Sequence, residues 1–333
     1  MRFFQFQRDA RGQTRRLLGW FAVMVLALVL AINVVMALAW WLTVGGSLGF
    51  PRHFFAVNTG VTLLFVLGGW WVEASALVGG GVRLAQRLGA REVRPSSHAD
   101  EQRYANVVQE LAIAAGMHPP QAMVLPREYS INAFATGWDA EDAVVAVTQG
   151  ALDHLTREEL QGMVAHELSH VREGDTRLNM RLAGMVYGLE MIYRLGQALT
   201  APNEQGKRHI GFLLGLAVMG AGWLGWLAGH ALQAAVSRQR EWLADARAVQ
   251  WTRNREGLGR VLRKVLGQAT LVASPATVQQ PLVQHMLLVS GETGRLGRWF
   301  DAHPPLVQRI ERIYGGRMSA LRPDAGREPD TKD

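Results

Sequence analysis

The sequence predicts an α+β, mainly helical protein that crosses a membrane several times and carries a small sheet outside it. Three observations predict this. First, long windows are nearly free of charge: Leu17 to Leu42 has none, Phe54 to Gly81 has only Glu73, and Ile210 to Ser237 has His230 as its one titratable group. Second, amphipathic helical patterns fill most of the charged remainder. Third, three short β-like pieces stand together between residues 122 and 148. Of 333 residues, 49% are apolar and only 19% are charged, below the ~25% of soluble domains.

Taken in order, residues 1–16 form a basic segment with five arginines and one aspartate. The run Leu17–Leu42 has 26 residues, more than the ~20 that cross hydrocarbon. It is too long for a signal-peptide core, and an uncleaved anchor would still span. A short link with Pro51 and Arg52 leads to the second run, so residues 17–82 read as a transmembrane hairpin. Trp40, Trp41, Trp70 and Trp71 sit near its helix ends, as interfacial aromatics do. Glu73 is expected at headgroup level. Arg83, Arg87 and Arg91 follow the hairpin, and its inner link has one arginine. The positive-inside rule therefore puts the N-terminus and everything after Val82 in the cytoplasm.

Residues 83–177 read as the first part of a water-exposed domain. Asp100 to Ala115 has helical periodicity, with Tyr104, Val107, Val108, Leu111 and Ala112 on one side. Gly116 stops that helix. The β-like pieces are Ala122–Leu125, Ala133–Thr136 and Val144–Thr148. Thr156-x-x-Glu159 is a capping box opening a helix that ends near Gly174. Residues 178–237 form a second hydrophobic helical hairpin. Its first arm holds Arg181, Glu190 and Arg194, and Glu190 and Arg194 stand four apart, where they can pair. Both arms cross the membrane or neither does, since residues on either side of the hairpin must meet. Lys207 and Arg208 in the link argue mildly against translocation, so a soluble α-hairpin is the alternative. Residues 238–317 form a second, largely helical water-exposed part. Residues 318–333 are polar, contain proline and are expected to be disordered.

The net charge of +7 lies beside apolar runs and is read as topological. No basic stretch is interleaved with aromatics, so no nucleic-acid partner is expected. The chain has no cysteine, so any metal must be held by histidine and carboxylate. His166-Glu167-Leu168-Ser169-His170 meets that need. On a helix His166 and His170 are one turn apart and face the same way, with Cβ atoms ~5–6 Å apart. Glu167 lies on the neighbouring strip, where its carboxylate can act as a base without being a ligand. A catalytic zinc needs a third protein ligand and one open position. The best candidate is Glu241, with Asp245 one turn on to orient a liganded histidine. Either acid alone reads equally well as a solvated helix face. His118, His154, His230 and His285 read as structural or surface residues. His303 stands apart, in His303-Pro304-Pro305 ahead of Arg309-Ile310.

This set of motifs resembles the HtpX-type membrane zinc metallopeptidases, gluzincins related to the CaaX prenyl endopeptidases. The matching pieces are Asn132-Ala133-Phe134-Ala135-Thr136-Gly137, the His166–His170 motif with Gly174-Asp175, the segment Ser237–Asp245, and His303-Pro304-Pro305 with Arg309-Ile310. The resemblance runs from about Tyr104 to Ile313. It implies a zincin-like catalytic domain, with a small antiparallel sheet plus active-site helices, split between residues 83–177 and 238–317. It implies one Zn2+ per chain on His166, His170 and Glu241, with Glu167 as catalytic base and Asp245 behind the ligands. Asn132, Ala133, Phe134 and Ala135 would lie on a substrate-binding edge strand. The chemistry also needs a donor to the oxyanion, for which His303 or Arg309 is the candidate, with a role in folding the C-terminal segment as the equal alternative. The partners expected are protein or peptide substrates and the lipid bilayer, with the active site on the cytoplasmic face of a bacterial inner membrane. The expected activity is endopeptidase cleavage of misfolded or membrane proteins in quality control. A processing protease for a lipid-modified or membrane-linked peptide is the alternative, and an inactive scaffold is a third. The intact base and ligand set argue against the third.

Overall fold

The computed structural model describes residues 2–44, 48–202, 212–269, 288 and 303–324. Most of the link 201–209, His285 and the end of the tail lie outside the described residues. In chain order the elements are α1 (Arg2–Val44), α2 (Phe54–Ala76), α3 (Gly80–Arg87), β1 (Arg91–Glu92), α4 (Ala99–Ala115), β2 (Gln121–Leu125), β3 (Ala133–Thr136) and β4 (Val144–Thr148). There follow α5 (Gln149–His154), α6 (Arg157–Glu173), α7 (Asp175–Thr200), α8 (Phe212–Thr252), α9 (Arg255–Ala269) and α10 (Leu306–Tyr314). They fall into two compact units: residues 1–76 with 181–233, and residues 77–180 with 234–333.

The first unit is all helical. Three stretches are long and apolar enough to cross a membrane: Leu18–Thr43, Phe54–Ala76 and Phe212–Ala234. Their outward faces carry Leu26, Val34, Leu64, Trp71 and Leu213, all exposed, as lipid-facing residues are. Phe21, Leu28, Ile32, Val66, Met185, Leu189 and Val218 form the core between helices. Glycines let backbones touch: a Cβ on Gly188 would stand 2.5 Å from Val66 O, and one on Gly222 would stand 2.4 Å from Tyr193 N. Glu190 and Arg194 pair at 2.8 Å, as their spacing predicts. Glu73, near the end of α2, is buried.

The second unit holds the sheet. α4 buries Tyr104, Val107, Val108, Leu111 and Ala112 and ends at Gly116, whose φ of 63° only glycine adopts freely. The sheet order is β1-β2-β4-β3. The expected antiparallel sheet is in fact mixed, because β2 and β4 pair in parallel while β1–β2 and β3–β4 are antiparallel. The reason is burial. Every residue of β4 (Val-Val-Ala-Val-Thr) is buried, so β4 takes the centre. The hairpin with β4 leaves β3 at the edge, next to the helices. α6 opens on the expected capping box, with Thr156 accepting from Glu159 N and Glu159 reaching back to Thr156 N. It ends at Gly174 with φ 73°. A Cβ on Gly162 would stand 2.3 Å from Leu258 N, so α6 and α9 meet backbone to backbone. β3, β4, α4 and α9 thus clamp α6 from several sides.

Candidate metal centre

α6 presents His166 and His170 one turn apart, and α8 presents Glu241 and Asp245 one turn apart. His166 Nε2 lies 3.2 Å from His170 Nε2. Glu241 Oε2 lies 3.6 Å from His166 Nε2, and Glu241 Oε1 lies 3.3 Å from His170 Nε2. A tetrahedral ion with bonds of ~2.0–2.1 Å separates its donors by ~3.3 Å. The two imidazole nitrogens hold about that spacing, and one ligand atom from each of the three residues lies within 4.8 Å of the others.

The far side of each imidazole faces a carboxylate. His170 Nδ1 lies 2.8 Å from Asp175 Oδ2, and His166 Nδ1 lies 3.1 Å from Asp245 Oδ1. A carboxylate only accepts, so His170 Nδ1 carries its proton and donates to Asp175. His166 Nδ1 stands beside Asp245 at ion-pair distance and makes no hydrogen bond among the described residues. Both Nε2 atoms face one another and the Glu241 carboxylate. As neutral imidazoles they would turn two lone pairs and a carboxylate toward one ion, and that ion would offset the cost of burying them. The same physics moves the histidine pKa values. Burial alone would lower them, but Asp245 and Glu241 beside His166, and Glu241 beside His170, raise both. The residues fit a metal ion.

Glu241 is pushed up by burial, but His303 and Arg309 and the hydrogen bonds from both histidines outweigh this and hold it well below the usual carboxylate range. His303 Nδ1 lies 3.1 Å and Arg309 Nη1 3.2 Å from Glu241 Oε2. Arg309 is fully buried and grips Asp245 with two bonds, Nε to Oδ2 at 2.9 Å and Nη2 to Oδ1 at 2.7 Å. Its Nη1 donates to Leu288 O at 2.8 Å. Glu167 is buried beside the histidines, and burial raises its pKa against the lowering effect of His166 and His170. Its Oε1 accepts no hydrogen bond among the described residues. A small cleft reaches these groups, lined among others by Ala135, Glu167, Asn179, Ser237 and Leu288.

Comparison with known proteins then places the chain. Residues 98–316 match Peptidase family M48, well over half the sequence. The chain belongs to peptidase family M48. A protease HtpX homolog of Syntrophobacter fumaroxidans is 32% identical over 275 residues, covering 81% of this chain and 92% of that one. Another, from Dictyoglomus thermophilum, is 39% identical over 211 residues, covering 62% and 67% of the two chains. Among solved structures, S. mikatae Ste24p aligns over 63% of this chain and 49% of its own, at 16% identity and a TM-score of 0.38, which carries no argument. This M48 chain is a membrane metalloprotease: it binds a metal ion and acts on peptide or protein substrates.

In the M48 centre, the residues singled out from sequence do not all lie together. His166, His170, Glu241, Glu167, Asp245, His303 and Arg309 converge. The expected edge-strand residues divide. Ala135 lines the cleft. Phe134 is buried, and its main chain pairs with Ala146 of β4. Asn132 turns to Thr148, giving its N–H to Thr148 Oγ1 at 3.0 Å. Ala133 O accepts from Leu288 N at 2.8 Å. Sequence reasoning assigned no role to Asp175, although it follows the histidine helix directly after Gly174. Besides bonding His170, it contacts Arg240. Asn179 and Ser237, which line the cleft, stand one helical turn beyond Asp175 and one turn before Glu241; Ser237 opens the matching segment Ser237–Asp245, whereas Asn179 had only its spacing as a signal.

Proposed function

We propose that this chain is a zinc-dependent endopeptidase, with zinc held by His166, His170 and Glu241 and with Glu167 as the catalytic base. The observation that carries this reading is the cluster of His166, His170 and Glu241, with a carboxylate behind each imidazole. An all-nitrogen-and-oxygen donor set with no cysteine suits zinc at a hydrolytic site. When bound, zinc polarises the scissile carbonyl and lowers the pKa of water.

The protein groups do the rest. Glu167 takes a proton from the attacking water and hands it to the leaving amine. Its burial and raised pKa suit a group that must both accept and release a proton. Asp175 and Asp245 hold the two imidazoles in position. Arg309 fixes Asp245 and Glu241; with its nitrogens so engaged it acts as a positioning residue. His303 is then the assigned donor to the developing oxyanion. Ala135 offers main-chain hydrogen bonds to an extended peptide, which gives broad sequence tolerance.

Topology follows the charge pattern. Residues 17–82 and 178–237 are the two membrane hairpins, and residues 83–177 and 238–317 form the catalytic domain on the cytoplasmic face of a bacterial inner membrane. Close glycine packing of residues 181–200 against two apolar helices supports α7 as a fourth crossing. α8 has 41 residues, ~62 Å of helix, about twice the hydrocarbon thickness. Glu241 therefore lies ~10 Å along that helix beyond the end of its apolar stretch at Ala234. A site so near the bilayer suits misfolded or membrane proteins as substrates in quality control.

Glu167→Gln tests the mechanism. The variant should keep stoichiometric zinc and lose cleavage of an unfolded protein by about 10²- to 10⁴-fold, the usual contribution of a positioned base. Unchanged cleavage with zinc retained would remove Glu167 from this role.

A further inference from the structure

The outer edge of β3 is already partly taken. Asn132 O accepts from Thr148 N at 3.1 Å and so faces β4. Alternation along an antiparallel strand then turns the main-chain groups of Ala133 and Ala135 away from β4. At Ala133 both groups are engaged: its N–H donates to Asn132 Oδ1 at 2.9 Å, and its carbonyl accepts from Leu288 N at 2.8 Å. Ala135 lies two residues further along, ~7 Å away, on the wall of the cleft that holds Glu167 and both histidines. Leu288 makes three contacts here. Its N–H docks on the strand, its carbonyl accepts from Arg309 Nη1 at 2.8 Å, and the residue, 1% exposed, belongs to the buried core beside the cleft. Of the contacts that one apolar residue of an added β-strand would make, Leu288 makes the N–H hydrogen bond to the strand, while its carbonyl goes to Arg309 instead of to β3.

We propose that Leu288 is an intramolecular stand-in for one residue of the substrate, and that a peptide laid along β3 past Ala135 displaces it. The inference rests on the reading of β3 as the substrate edge. A substrate residue at this position would give its N–H to Ala133 and its carbonyl to Arg309, and would put its side chain where Leu288 now lies. The exchange replaces like with like, so it needs no new binding energy beyond Ala135. It also sets a preference, because the subsite next to Ala133 takes an apolar, leucine-sized side chain. Docked Leu288 keeps the edge covered until an extended chain arrives, which guards a site with broad tolerance. Folded proteins supply no such chain, whereas unfolded ones do.

The absence of native cysteine makes a direct test available. A Leu288→Cys thiol is placed in the Glu167→Gln background, loaded with zinc, and its reaction with a maleimide is timed. The probe is a fluorescein-labelled, cysteine-free unstructured polypeptide whose binding is followed by anisotropy in the same sample. Displacement should speed labelling by about tenfold or more at saturating probe, because a buried thiol reacts only through the open form. In parallel, Leu288→Ala should bind the probe several-fold more tightly, since the competitor is weakened. If the probe binds while the thiol stays as slow as before, and Leu288→Ala does not tighten binding, Leu288 is a fixed wall and the proposal fails. If the probe does not bind at all, the edge-strand reading itself fails, and the proposal falls with it.

Discussion

Asp245 offers the sharpest test of how the centre is held. Its Oδ1 faces His166 Nδ1 at 3.1 Å and Arg309 Nη2 at 2.7 Å, and its Oδ2 faces Arg309 Nε at 2.9 Å. Asp245→Asn keeps the shape but leaves one acceptor for three donors. The amide group then opposes either Arg309 Nε–H or the His166 side. The first choice loses one charge-assisted hydrogen bond in a buried site, about 1.5–3 kcal/mol. The second loses the histidine contact, about 10- to 100-fold in metal affinity. Either way, metal-free stability or zinc affinity falls measurably. Asp245→Ala does both and leaves the fully buried Arg309 guanidinium short of its main partner, which costs about 3–5 kcal/mol. Asp175→Asn is the control. Asp175 orients the other histidine from a carboxylate that touches Arg240 and, among the described residues, makes no contact with Arg309, so zinc affinity should fall as before while the Arg309 contacts stay intact. The assays are competition against a chromophoric zinc chelator and thermal unfolding of metal-stripped protein. An Asp245→Ala protein with parental zinc affinity and parental melting temperature would refute this account of the site.

Two further outcomes follow from features outside the centre. Arg91 forms a fork on Glu101, at 2.6 and 3.0 Å, and with the Arg94 N–H it lowers the Glu101 pKa from 4.5 against the opposing effect of burial. A lowered folded pKa means stability that is present above the unfolded value and lost as pH falls through the folded one. Glu101→Gln should therefore cost about 1–3 kcal/mol above about pH 5, and the difference from the parent should close in acid. A gap that stays constant across a pH series of melts would mean the contact is not ionic in origin. For the second hairpin, a Gln205→Cys thiol in this cysteine-free chain should react with an impermeant maleimide only from the extracytoplasmic side in oriented membranes. Reaction from the cytoplasmic side alone would refute the fourth crossing.

The parts of the protein legible in its sequence are those governed by short-range rules. A helix brings residues four apart onto one face, so His166 with His170, Glu241 with Asp245, and Glu190 with Arg194 could each be paired without knowing the fold. Uninterrupted apolar windows need no partner to be recognised, and the three spanning helices follow from them. Capping by Thr156 and Glu159 and the glycine stops at Gly116 and Gly174 are equally local.

Tertiary structure decided what depends on segments meeting from far apart in the chain. Alternation identifies a strand but not its neighbours, so only burial of β4 on both faces makes the sheet mixed and leaves β3 at the edge. Spacing brought α6 and α8 under suspicion separately; folding set their donors 3.2 to 3.6 Å apart. The same long-range contacts turned Arg309 toward Asp245 and placed Asp175 behind His170. They also seated Leu288 on Ala133, a contact that no periodicity encodes. The sequence by itself determined which chemistry the chain carries, because each half of the metal site is built within one helix turn. The tertiary structure decided how that chemistry is oriented and covered, because hydrogen bonds between distant segments do both.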